Sequence, residues 1–192
     1  MEKNKKHLKL NKLYSDYANE FAGEELVFGD GNYNSGIAMI GEAPGKDEVI
    51  QGKPFVGLAG GKLKEFLDYI GLTREDLYVT NAIKYRLFKT NPKTNKKSNR
   101  PAKIIEIKSS MPYLASEMKL LNPRLIITLG NVPLKAITAT FNITIGDVHG
   151  TVMDVGGLSV FPLYHPASLI YNRNLEETYY KDMDKLKIIL RR

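Results

Sequence analysis

One stretch constrains this chain more than any other: Ile40 to Gly61, I-G-E-A-P-G-K-D-E-V-I-Q-G-K-P-F-V-G-L-A-G-G. The apolar run Ile37-Ala38-Met39-Ile40 precedes it and reads as a short buried strand. Lys62 to Ile70 follows, apolar at helical spacing and closed by Gly71. A long glycine-rich loop therefore joins a strand to a helix. In open α/β sheets, ligands bind where such loops leave the carboxyl ends of strands. Pro44 and Pro54 fix φ and stiffen the loop. Glu42 stands at the strand end, in the place of a catalytic carboxylate. Phe55, between Pro54 and Val56, either caps the core or offers a flat face on which a planar ligand stacks.

The rest of the chain repeats the strand-to-helix theme. Residues 1–21 carry Leu8, Leu10, Leu13, Tyr14, Tyr17 and Phe21 among lysines and read as an amphipathic helix. Leu26 to Asn32 is a short extended piece and a turn. Leu77-Tyr78-Val79-Thr80, Leu125 to Leu129 and Leu158 to Leu163 read as further strands. Helices are expected at about 60–70, 103–121, 133–140 and 175–190, and a hairpin within 143–157. This alternation predicts an α/β fold, a three-layer α/β/α sandwich around a central, mainly parallel four-stranded sheet. No repeat or composition break divides the chain, so residues 1–192 are expected to form one domain and a monomer. Four loops then leave the same edge of the sheet. They carry Glu42 with Phe55, then Asn81, then Gly130-Asn131, then His165.

Charge and cysteine count narrow the partners. The net charge of +7 favours an anionic partner, nucleic acid first. Lys84 to Lys103 holds eight basic residues and no acidic one, so it reads as an exposed mobile loop, either lying along a phosphate backbone or simply solvated. With no cysteine, a disulfide, a thiolate nucleophile and a cysteine-bound metal are excluded. The three histidines, His7, His149 and His165, lack metal-ligand spacing, so neither metal nor cofactor is expected. No run of about 18 apolar residues is present, so no membrane span is expected. The Lys-rich start lacks the apolar segment of a signal peptide, so a cytoplasmic, nucleoid-associated protein is expected.

The motif G-E-A-P-G-x-x-E followed by G-x-P-F-V-G-x-A-G resembles the first motif of the family 4 uracil-DNA glycosylases. Thr80-Asn81-Ala82-Ile83-Lys84 is similar to that family's T-N-x-x-K, and His165-Pro166-Ala167-Ser168-Leu169 to its H-P-S-x-L. Val27-Phe28-Gly29 also matches, and the resemblance runs from about Val27 to Leu169. It implies the uracil-DNA glycosylase fold, uracil-containing DNA as partner, and hydrolysis of an N-glycosidic bond. Asn81 would pair with the uracil edge, since one amide both accepts and donates; otherwise it caps the turn after its strand. Phe55 would stack on the extruded base. His165 would donate to uracil O2, and Glu42 would orient or activate the attacking water, with Ala43 lining the site and Glu48 in support. The bland reading of Glu48 is a carboxylate that orders the loop. Leu169, or alternatively Ile170, would wedge into the duplex. Lys84, Arg86, Arg100, Ser168 and Arg173 would contact DNA, Arg173 in place of an arginine that the family often has where Tyr171 stands. No amine is placed for a Schiff base, so no lyase step is expected.

The sequence also departs from that family, whose members hold a four-iron, four-sulfur cluster on four cysteines. Tyr85, Ser109 and the Tyr14–Phe21 region stand where those ligands are expected. A cluster-free relative, with apolar packing in the cluster's place, is the reading that follows. The alternatives are a DNA-binding relative without turnover and a glycosylase with a shifted preference, such as xanthine or hypoxanthine.

Overall fold

The computed structural model describes residues 2–191 and the side chains of residues 5–57, 60–169 and 171–191. In chain order, helix α1 (Glu2–Glu20) leads to a two-residue strand β1 (Asp30–Gly31) and then to β2 (Ile37–Gly41). A short helix α2 (Lys46–Gln51) and a longer one, α3 (Gly57–Ile70), precede β3 (Tyr78–Asn81). A hairpin of β4 (Phe88–Thr90) and β5 (Lys97–Asn99) comes before helix α4 (Ile104–Leu121). Strand β6 (Leu125–Leu129), helices α5 (Asn131–Thr138) and α6 (Ile145–Val148), and strands β7 (Met153–Val155) and β8 (Leu158–Leu163) follow. The chain closes with α7 (Ser168–Tyr171) and α8 (Glu176–Leu190).

The main sheet has the order β1-β3-β2-β6-β8-β7. Its four central strands are parallel, as the apolar runs predict, and short antiparallel strands at either edge make six. Side chains alternate across the pleat. Ile37 and Met39 enter one core with Phe66, Leu67, Met183 and Leu186 of α3 and α8. Ala38 and Ile40 enter the other with Leu10 and Tyr17 of α1 and Leu114 and Met118 of α4. Strand β6 repeats the pattern, Ile127 on the first face and Ile126 on the second. Burial on both faces is why these strands read as unbroken apolar runs. Each fully buried Met39, Ile126 or Phe161 contributes about 1.5–3 kcal/mol of transfer free energy.

Register places the site. Gly41 pairs with Asn81, and Leu129 with Leu163, so β2, β3, β6 and β8 end at one edge. Beyond it, the N–H of Ile83 donates to the carbonyl of Glu42 (3.0 Å), carrying the ladder past the strand end.

Three local expectations are corrected. The long loop after β2 holds a helix, α2, whose chain reverses at Gly52 in the left-handed region (φ +65°). Residues 84–103 begin with buried side chains and contain the β4–β5 hairpin; Asn-, Pro- and Thr-rich composition concealed it. The hairpin expected within 143–157 lies at 153–163, turning at Gly156 and Gly157 (φ +60° and +85°), and residues 145–148 are helical.

Where the family resemblance places cluster ligands, rings pack. Tyr17 lies 4.3 Å from Phe21 and 4.9 Å from Tyr113, and Phe21 lies 5.2 Å from Tyr85, centroid to centroid. The Tyr17 hydroxyl accepts from the Lys84 N–H (3.0 Å) and bonds to Ser110 Oγ (2.9 Å). Ser109 takes no part: its hydroxyl donates back to the Ile105 carbonyl (3.0 Å).

Candidate active site

Four of the expected residues surround one cavity of ≈ 490 Å³: Glu42, Phe55, Asn81 and His165, with Ala43 and Glu48 in the same wall. Glu42 and Ala43 are the first residues past β2, Asn81 is the last of β3, and His165 lies two residues past β8. A second, smaller cavity of ≈ 230 Å³ also touches Glu42, Ala43 and His165.

Gly41 shows how tightly the pieces fit. A Cβ there would lie 2.5 Å from Asn81 Oδ1 and 2.5 Å from Phe55 Cζ. Asn81 is buried, and neither atom of its side-chain amide has a partner among the hydrogen bonds of the described residues. That edge opens onto the cavity, where a ligand or water can satisfy it. Phe55 belongs to the core and also borders the cavity. Its backbone is left-handed (φ +54°), strained for a bulky residue. Arg74 clamps this turn by donating to the Pro54 carbonyl (2.8 Å).

The His165 ring lies 6.4 Å from that of Phe55, at 23° to it. Its Nδ1 accepts the Ala167 N–H (3.1 Å), which leaves the proton of the neutral ring on Nε2. Burial holds the imidazole below its usual pKa and favours that neutral form. Ser168 closes the turn by donating its hydroxyl and its N–H to the His165 carbonyl (2.6 and 2.8 Å). Glu42 is half-buried and accepts the Ala102 N–H on Oε1 (3.0 Å). Burial raises its pKa, and the Ala102 bond opposes the rise. Glu48 is buried and accepts the Gly45 N–H on Oε2 (3.0 Å), so the loop-ordering reading of this residue also holds.

The expected DNA contacts fare less well. Lys84 is buried, and its ammonium donates to Thr80 Oγ1, the Asn81 carbonyl and Glu117 Oε2, each at 2.6 Å. It therefore cannot reach a phosphate. Arg86 is also buried and bonds Asn99 (3.1 Å) and Glu25 (3.3 Å). Their acidic partners are distant in sequence, which is why the basic run looked free. Arg100 borders the smaller cavity, but its guanidinium is committed to Glu106 (2.5 and 2.9 Å) and to the Phe88 carbonyl. Leu169 and Arg173 line a different cavity, of ≈ 530 Å³, with Phe66 and Tyr179. The Ile170 side chain lies outside the described residues. Asn131 spends its side-chain oxygen on the Ile145 N–H (2.7 Å).

Several lining residues were not among those the sequence singled out for the site. Asn99, from the hairpin, borders the cavities of ≈ 490 and ≈ 230 Å³ alike, its oxygen held by Arg86. Lys46, Asp47, Lys62 and Tyr171 also line the larger of these two. Lys46 lay within the first motif as a variable position; nothing local marked Asn99. A neutral imidazole donor, a half-buried carboxylate, a free amide edge and an aromatic face suit a planar heterocycle and a bond that leaves charge on it.

A family model described as the uracil DNA glycosylase superfamily matches residues 28–187. The chain is 37% identical over 172 residues to a type-4 uracil-DNA glycosylase of Saccharolobus solfataricus, covering 85% of this chain and 76% of that protein. It is 36% identical over 167 residues to one of Archaeoglobus fulgidus (83% and 79%) and 32% identical over 170 residues to one of Thermotoga maritima (87% and 84%).

Proposed function

The chain belongs to the uracil-DNA glycosylase superfamily, and from that premise we propose that it excises uracil from DNA, hydrolysing the N-glycosidic bond to leave an abasic site. The observation that carries this reading is the convergence of Glu42, Phe55, Asn81 and His165 on one cavity. The uracil leaves the duplex and lies against Phe55. The Asn81 amide accepts from N3–H and donates to O4. As the bond to C1′ breaks, the pair of electrons passes to the base, and His165 Nε2–H donates to the developing charge on O2. Such a donor, held in place beforehand, is worth roughly 3 kcal/mol. Water held by Glu42 adds to C1′, and its proton goes to the carboxylate. Lys84, the lysine beside Asn81, is bound to Glu117, which supports a hydrolytic, monofunctional reaction without a Schiff base.

The test is base release from a labelled oligonucleotide carrying one uracil, opposite guanine, opposite adenine, or unpaired. Asn81→Ala is expected to lower kcat/KM by a factor of about 100 or more, as the free amide edge is lost. Wild-type protein that binds these oligonucleotides yet releases uracil from none of them would overturn the reading and direct the assay to xanthine and hypoxanthine.

A further inference from the structure

A side chain that enters a duplex to hold the place of an extruded base must stand in solvent before contact, and it must border the base pocket. Leu169, the residue expected to do this with Ile170 as the alternative, meets neither condition. It is half-buried against the core that includes Phe66, Tyr179 and Met183, and it lines the cavity beside them. Pulling it out would open that core. Tyr171 meets both conditions. It ends α7, is 88% exposed, and borders the same cavity as Asn81, Phe55 and His165. The short helix that carries it is fastened at its start through the bonds of Ser168 to the His165 carbonyl and at its end by the Asn172 N–H to the Ser168 carbonyl (2.9 Å). The backbone that carries the ring is therefore tied to the His165 turn.

We propose that Tyr171 fills the space vacated by the extruded nucleotide and stacks its ring on a neighbouring base. The inference rests on the uracil-excision reading above and adds the residue that separates duplex from single-stranded substrate. An aromatic face suits this place because every base offers a π-face. The polar rim of the phenol tolerates the water that an exposed Leu or Phe would not. Unlike a base-pocket residue, such a side chain acts only where a stack has to be opened and held open. Its contribution is largest for uracil paired with adenine, smaller for the weaker pair with guanine, and smallest for unpaired uracil.

The experiment compares kcat/KM on duplex U·A, duplex U·G and single-stranded substrates for the wild type, Tyr171→Ala, Tyr171→Phe and Leu169→Ala. Tyr171→Ala is expected to lower the ratio of U·A to single-stranded activity about tenfold, with an intermediate fall for U·G, and Tyr171→Phe to restore it. Equal losses on all three substrates, or a duplex-selective loss in Leu169→Ala and none in Tyr171→Ala, would overturn the proposal. A binding arm uses 2-aminopurine beside an abasic site, where wild-type and Tyr171→Phe proteins should change the fluorescence through stacking and Tyr171→Ala should not. That arm needs no turnover. An inactive wild type would thus sink the glycosylase reading while leaving the Tyr171 assignment open to its own refutation.

Discussion

Substituting Lys84 by Met removes an ammonium that is fully buried and makes three hydrogen bonds of 2.6 Å. The loss has two parts. Glu117 keeps its contacts with the hydroxyls of Tyr14, Tyr78 and Thr80 but loses its counter-charge. The Asn81 carbonyl loses its donor. Breaking a buried pair by removing one partner costs about 3–5 kcal/mol, a large share of the roughly 5–15 kcal/mol by which a domain is stable. Lys84→Met should therefore lower the thermal midpoint by on the order of 10 °C. Adding Glu117→Gln, which keeps the oxygen that accepts the hydroxyls and removes the charge, should recover much of that. Uracil release should stay impaired in the double variant, because the backbone of Asn81 remains unfastened. Urea denaturation and base release, measured on the same samples, separate the two effects. A cost below about 1 kcal/mol for Lys84→Met would refute the account of the pair, and full activity in the stabilised double variant would refute the account of Asn81.

Two further outcomes follow from the site. Gly41→Ala places a methyl 2.5 Å from both Asn81 Oδ1 and Phe55 Cζ, so base release should fall by on the order of 100-fold while the stability loss stays near 1–3 kcal/mol; calorimetry beside the activity assay checks this. Glu42→Gln should remove activity and raise stability at neutral pH. The folded pKa of Glu42 lies above its ordinary 4.5, so the favourable contribution of its protonated form is present below the unfolded pKa and lost as pH rises through the folded value. The difference in midpoint between wild type and Glu42→Gln should therefore shrink on acidification, and a difference independent of pH would contradict the assignment. In the wild type, activity should fall on acidification as Glu42, whose pKa burial raises, takes up a proton and as His165, held by burial below its ordinary 6.5, loses its neutral form.

What the sequence revealed and what it hid divide along a physical line. Strands buried on both faces announce themselves as apolar runs, so Leu125–Leu129 and Leu158–Leu163 were legible to the residue. Glu42, Phe55, Asn81 and His165 were legible because each lies at or just past the end of such a strand, or in the glycine-rich loop that follows. Pairings made across long separations were not. The partner of Lys84 is 33 residues away and that of Arg86 is 61 residues away. Without Glu117 and Glu25 in view, a basic run looks like a surface. The same holds for Asn99: its place at the cavity depends on a hairpin whose residues, Lys97-Ser98-Asn99, carry no apolar alternation. Leu169 is a different case: its side chain packs against the core, which no local pattern announced, while Tyr171 borders the cavity.

The corner made by Tyr17, Phe21, Tyr85 and Tyr113 has a consequence for where such a chain can work. Aromatic packing has no oxidation state, and a sequence without cysteine has no thiol to lose to peroxide. What sets the integrity of this corner is temperature and solvent, through burial of its rings. Through the Tyr17 hydroxyl on the Lys84 N–H, the same holds for the backbone that carries Asn81. A cell starved of iron, or under the oxidative stress that damages its bases, would find this part of the molecule folded as before.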